Sequence, residues 1–155
     1  KNTVRNWKEL GQVVRGKNLS QGIMERYTEI FDVVAEDLDE LNHVNNIRYI
    51  EWIQDISKKH WHQVTTEAMR ATMVWVVRNH NISYSKSALL GDTIQISTYI
   101  ESNKGPISTR VVEISNKISG ELLVKGITEW CLLDAQTFRP KRVPEEVQQL
   151  FGGKS

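Results

Sequence analysis

The chain is 155 residues long, with 39% hydrophobic and 25% charged residues and a formal net charge of +1. That length suits one ordinary domain whose core needs neither disulfides nor a structural metal, and the composition excludes disorder. The near-zero charge excludes whole-molecule attraction to nucleic acid or to an anionic membrane, so neither is an expected partner.

Residues 1–22 are polar, carry Gly11, Gly16 and Gly22, and read as an arm or a short helix. The opening KNTVRNWKELGQ lacks the apolar core of a signal peptide, and no apolar run is long enough to span a membrane, so the expected compartment is the cytoplasm. Met24 to Val34 is rich in β-branched and aromatic residues and predicts a strand. A polar loop, Ala35 to Asn42, follows. Tyr49, Trp52, Ile53, Ile56 and His60 then recur at helical spacing, which predicts a helix on the order of 15 residues. Asn42, Asn45 and Asn46 are all suited to cap it. Four strands come next: Met73 to Tyr84, Thr93 to Ile100, Ser108 to Asn116 and Leu122 to Asp134. Turns at Asn103–Pro106 and Ser119–Gly120 join the later ones and imply antiparallel pairing. The lone Cys131 reads as a small buried thiol within the last strand. Pro144 to Leu150 predicts a short helix with Pro in its first turn and acids beside the positive end. One long helix against a largely antiparallel sheet of about five strands is an α+β layer fold. The expected boundaries are 1–22 for the arm, 23–143 for the single domain and 144–155 for the terminal helix and tail.

The densest polar chemistry is EDLDELNHVNNIRYIEW, Glu36 to Trp52. A calcium loop fails: after Asp37 and Asp39, the next ligand position holds Leu41, the glycine position Asn42 and the closing glutamate position Arg48. His60 and His62 lack a Cys or acid at zinc spacing. No metal and no cofactor is therefore expected. A plain helix start accounts for Asp37 and Asn45 as structural residues. It does not account for Asp39, His43 and Asn46 as well. A helix N-terminus supplies unpaired N–H groups that stabilise an oxyanion. A carboxylate just upstream can deprotonate water or attack directly. The stretch suits acyl transfer to water.

At these residues the chain resembles the hotdog-fold thioesterases. Asp39-x-x-x-His43-Val44-Asn45-Asn46-x-x-Tyr49 is similar to the D-x-x-G-H-V-N-N-x-x-Y signature of single-domain acyl-thioester hydrolases. With Asp37-Leu38 before it and Ile50-x-Trp52 after it, the segment resembles that of acyl-ACP (acyl carrier protein) thioesterases more fully. Ile82-Ser83-Tyr84 followed by Leu90-Gly91-Asp92 agrees. The resemblance covers about residues 23–143. It implies a hotdog fold, in which a curved antiparallel sheet wraps one long central helix. It also implies a homodimer or dimer of dimers with the acyl site at the subunit interface. Asp39 then matches the catalytic carboxylate and His43 the site histidine. Asn42, Asn46 and Tyr49 form the expected substrate-binding or oxyanion region, and the substrate is a fatty acyl-ACP or acyl-CoA.

Three departures qualify the match. Leu41 stands where plant acyl-ACP enzymes carry an asparagine, Ser87 where they carry a glutamate, and the chain has room for one hotdog repeat rather than two. A non-catalytic acyl-CoA or acyl-carrier binding module, or another hotdog enzyme such as a dehydratase, is the alternative. Arg139, Lys141 and Arg142 read either as a solvated basic turn or as a surface that docks the carrier. Trp52, Trp61, Trp75 and the methionines read first as core, with an acyl tunnel as the functional alternative.

Overall fold

A computed structural model describes residues 7–18 and 22–153. Six strands form one antiparallel sheet: β1 (Trp7–Asn18), β2 (Gly22–Asp32), β3 (Met73–Tyr84), β4 (Thr93–Lys104), β5 (Ile107–Asn116) and β6 (Leu122–Asp134). Their spatial order is β1-β2-β4-β5-β6-β3. The helices are α1 (Asn46–Val64), the four-residue α2 (Glu67–Arg70) and α3 (Glu145–Phe151). The five expected strands are present as β2 to β6, and the sheet gains a sixth. Trp7–Asn18 is an edge strand paired with β2, not a short helix. In the strand, a register shift between Glu9 and Gln12 brackets Gly11, a usual place for a bulge. Residues 1–6 and 19–21 of the expected arm, and 154–155 of the expected tail, lie outside the described residues.

The sheet is curved because its ladders are interrupted. Register shifts fall between Val77 and Asn79, Ile100 and Ser102, and Ile114 and Ser115, and such bulges bend a strand and increase its twist. The last of them breaks the alternation of β6, so Leu123 and Val124 are both buried while Leu122 stays exposed. Cys131 is half-buried rather than buried.

Helix α1 lies on the concave face. Its 19 residues extend about 28 Å. Tyr49, Trp52, Ile53, Ile56, Ser57 and His60 form its buried stripe. The helix approaches β6 most closely at Gly126, where a Cβ would stand 2.9 Å from Ile53 Cδ1. A side chain there would oblige the end of Ile53 to shift. Two apolar clusters result. One surrounds the first half of α1, with Phe31, Trp52, Ile94, Ile114 and Val124. The other joins Ile100 and Leu132 to Val143, Val147 and Phe151, so α3 closes the far end. No helix among the described residues is long and apolar enough to cross a membrane.

Candidate active site

The polar stretch before α1 sorts into residues that build the turn and residues that remain free. Asp37 is completely buried. Its Oδ2 accepts the Val34 N–H at 3.0 Å, and its Oδ1 lies 3.5 Å from Arg48 Nε. Asn45 is the N-cap, its Oδ1 accepting the Ile47 N–H at 3.1 Å. Both are structural, as their types at a helix start imply.

Asp39 and His43 occupy one tight turn. Asp39 Oδ1 accepts the N–H groups of Leu41 at 2.8 Å and His43 at 3.1 Å. The Asp39 N–H donates to the His43 carbonyl at 2.7 Å, and the Asn42 N–H to the Asp39 carbonyl at 3.1 Å. Asn42 has φ +63°, the left-handed region that Asn tolerates, so its place is to form the turn. Asp39 and His43 are both exposed. Asp39 Oδ2 and the His43 imidazole have no hydrogen-bond partner among the described residues, so backbone bonds and Asp39 Oδ1 bring the pair together. A bridge from His43 to Leu89 seats the turn against the β3–β4 loop.

The main-chain N–H groups from Asn42 to Arg48 can be accounted for one by one. Asn42 and His43 bond within the turn, Val44 donates to Ala88, Asn45 to Asp37, and Ile47 and Arg48 to Asn45. The Asn46 N–H, on the first residue of α1, is the one left without an acceptor. It is an open donor at the positive end of a helix, a few residues from an open carboxylate oxygen.

Tyr49, expected beside the substrate, is instead in the core at 1% exposure. Its hydroxyl accepts the Ala88 N–H at 2.9 Å, and its ring packs edge-on against Trp52 and Tyr84. Burial holds its hydroxyl above the usual phenol range. It sits on the buried stripe because position 49 is three residues before Trp52. At the two departures from the plant pattern, Leu41 is 74% exposed and Ser87 is also exposed. Among the described residues no three His, Cys, Asp or Glu side chains cluster as metal ligands do.

The basic residues Arg139, Lys141 and Arg142 do not approach Asp39 within one chain. They lie on a return segment that follows the end of β6, with Asp134 N–H donating to Arg139 O and Lys141 N–H to Leu132 O. That end of β6 pairs with Met73, whereas the Asp39 turn meets the loop after Tyr84 at the opposite end of β3. The intervening strand has 12 residues, about 40 Å.

A second polar assembly lies at the other end of α1 and was not read from the sequence. Arg110 on β5 is 95% buried, and its Nη1 donates to His60 Nδ1 at 2.8 Å and to Thr98 Oγ1 at 3.0 Å. His60 Nε2 faces Glu25 Oε1 at 3.3 Å, and Tyr27 stacks on the imidazole. Burial foremost, with Arg110 nearby and against the hydrogen bond to Glu25, pushes His60 down to about 4, so it is neutral at pH 7. Burial lowers Arg110 to about 9, which leaves it charged. Beside this array is a cavity of about 280 Å³, with Trp61, Met73, Trp75, Trp130 and Phe151 in its wall. Trp52 is core, but Trp61, Trp75 and Met73 line open space. The available signal was Arg110 itself. It occupies an inward position of the alternating run Ser108, Arg110, Val112, Ile114, where a charge is costly.

A family model of the acyl-ACP thioesterase N-terminal domain matches residues 24–151. Acyl-[acyl-carrier-protein] hydrolase FATB3, chloroplastic, of Cuphea viscosissima is 34% identical over 86 residues, 55% of this chain and 21% of that protein. The chain thus spans about a fifth of the length of the curated relatives it matches. YbaW, a probable thioesterase from Escherichia coli, superposes with TM-score 0.72 at 21% identity, covering 79% of this chain and 94% of that one. The 12:0-ACP thioesterase from Umbellularia californica gives TM-score 0.70 at 19% identity, over 80% of this chain and 48% of that one. These likenesses establish the hotdog fold.

Proposed function

Because the chain belongs to the acyl-ACP thioesterase N-terminal-domain family, we propose that it hydrolyses a fatty acyl thioester of ACP or CoA to the free acid and thiol. The observation that carries the reading is the pairing of an open Asp39 carboxylate oxygen with the one open N–H of the helix start, that of Asn46. The thioester carbonyl oxygen sits at the Asn46 N–H, which stabilises the negative charge that forms on attack. Asp39 either takes a proton from the attacking water or attacks the carbonyl itself. Its other oxygen is fixed by two backbone N–H groups, so the carboxylate is oriented before substrate arrives. His43, on the same turn, is placed to hydrogen-bond the water or the leaving thiol. Asn46 contributes through its main chain and Asn42 through the turn it allows.

The active form is a homodimer or a dimer of dimers. Strand β3 ends the sheet with 12 residues, and Val76 and Val77 on it are 41% and 37% exposed. An uncovered edge of that length invites pairing. Two-fold pairing of β3 with β3 is antiparallel, so the Met73 end of one copy lies toward the Tyr84 end of the other. The basic turn of one copy is thereby carried toward the Asp39 turn of its partner. In that arrangement Arg139, Lys141 and Arg142 meet the phosphates of CoA or the acidic face of an acyl carrier protein.

The test is thiol release from acyl-CoA and acyl-ACP substrates. Asp39→Asn should lower turnover about 10²–10⁴-fold with the fold intact. Turnover within a few-fold of the parent would remove Asp39 from the chemistry. Acyl-CoA binding without turnover in the parent chain would make the protein a binding module.

A further inference from the structure

We infer that the cavity beside Arg110 is a binding site for an amphiphilic carboxylate, its anionic group on the Arg110 guanidinium and its apolar body among Trp61, Trp75, Trp130 and Phe151. The site does not depend on the hydrolytic reading. From Asn46 to Trp61 the helix rises about 22 Å, so the cavity lies at the far end of α1 from the Asp39 turn within one chain.

The unused hydrogen-bonding fork of Arg110 points to an anion. Arg110 uses only Nη1 in its bonds to His60 and Thr98, and both acceptors are neutral. Its Nε and Nη2 have no hydrogen bond to a described residue. Glu25 reaches the array through His60 Nε2. A buried guanidinium normally engages a carboxylate through two parallel N–H groups, and here the adjoining space is a cavity with Arg110 in its wall. The open fork of Arg110 suits an anion, and Lys58, also in the cavity wall, adds a second cation.

The walls define the rest of the ligand. Trp61 and Trp75 meet edge to face, Trp61 stacks on Phe151, and Met73 and Val147 complete an apolar lining. A cavity of about 280 Å³ with aromatic walls and a few convergent polar groups has the make-up of a small-molecule site. The indole Nε1 atoms of Trp75 and Trp130, both cavity residues, are buried without a hydrogen-bond partner. Buried donors left unpaired are uncommon, and these two indoles belong to residues of the cavity wall, so they report on its occupancy. A purely hydrocarbon occupant would leave the guanidinium fork unsatisfied.

Two sources share this chemistry: a free fatty or aryl acid, and the distal carboxyl of an acyl chain that carries one at each end. The full chain, ¹⁵N-labelled, is titrated with decanoate and, in parallel, with 1-decanol. The five tryptophan indole signals are assigned by single Trp→Phe variants. Decanoate is expected to bind at one site, to move the Trp75 and Trp130 indole signals, and to bind at least about tenfold more tightly than decanol. Arg110→Met should abolish that preference, and Arg110→Lys should restore part of it. If either variant fails to fold, the acid-to-alcohol ratio of the parent chain still decides. Equal affinity for acid and alcohol, or no movement of those two indoles up to the solubility limit, would overturn the inference. Non-hydrolysable CoA thioethers identify the source. If a thioether with a terminal carboxylate moves the indoles and its methyl-ended counterpart does not, the acyl chain itself supplies the anion. If free acid alone does so, the ligand is a separate acid.

Discussion

The two ends of α1 hold polar residues by opposite means. At the N-terminal end, Asp39 and His43 are exposed, and their turn is closed by backbone bonds with one carboxylate oxygen assisting. At the C-terminal end, Glu25, His60 and Arg110 are buried and held by one another's side chains. The first arrangement leaves reactive atoms open at little cost to stability. The second places a charge where stability depends on every neighbour.

The sharpest way to break this contrast is a pair of substitutions. Arg110→Ala strands His60 and Glu25 in the interior and should cost about 3–5 kcal/mol in urea unfolding. Asp39→Asn, on the exposed turn, should change stability by only about 0.5 kcal/mol while removing activity. Equal losses from the two would mean that the turn is as much a part of the core as the array.

Next in size is a pH effect. His60 is held near 4 in the folded chain against an ordinary 6.5, so below pH 6.5 the unfolded chain binds a proton that the folded chain refuses. Stability is therefore complete above pH 6.5, falls as pH drops through the window from 6.5 to about 4, and then levels. The total is about 3 kcal/mol. Urea midpoints across that window should show the slope, and His60→Gln should flatten it.

Tyr49→Phe sharpens the division at the active-site end. It deprives the buried Ala88 N–H of its acceptor and should cost about 1–3 kcal/mol. Because Tyr49 is core, kcat should hold; a fall in kcat with unchanged stability would return Tyr49 to the substrate. Smallest is the basic turn. Replacing Arg139, Lys141 and Arg142 with Ala should raise KM a few-fold at low salt and flatten its rise with ionic strength, leaving kcat unchanged. An unchanged KM with both carriers would leave the turn as surface.

What was legible follows the same division. The Asp39 turn, its caps and the stripe of α1 are local, within 25 consecutive residues from Glu36 to His60, so spacing exposes them. Strand bounds followed from alternation and from turn residues, and β3 and β6 were read from end to end. The Arg110 array joins positions 35 and 50 residues apart in the chain, and only the stacking of α1 on β2 and β5 brings them together. His60 had the right spacing for the buried stripe, and nothing local says what a buried imidazole meets. Tyr49 was misplaced because its motif position suggested chemistry, while its helical phase assigns it to the core. Residues 7–18 read as part of an arm or short helix because the segment is polar and carries Gly11 and Gly16, yet such residues are compatible with a bulged edge strand.

The closure of the Asp39 turn by main-chain groups has a consequence for how the protein can change. Glu40 and Leu41 contribute no side-chain bond to that turn, and the Leu41 side chain is 74% exposed. Mutational drift at these two positions meets almost no structural resistance, whereas position 42 is restricted to residues that accept a positive φ. The turn is thus a socket beside the proposed catalytic carboxylate into which new side chains can be fitted one at a time. Leu41→Asn, which installs the amide that the plant pattern carries there, is a graft the backbone already accommodates.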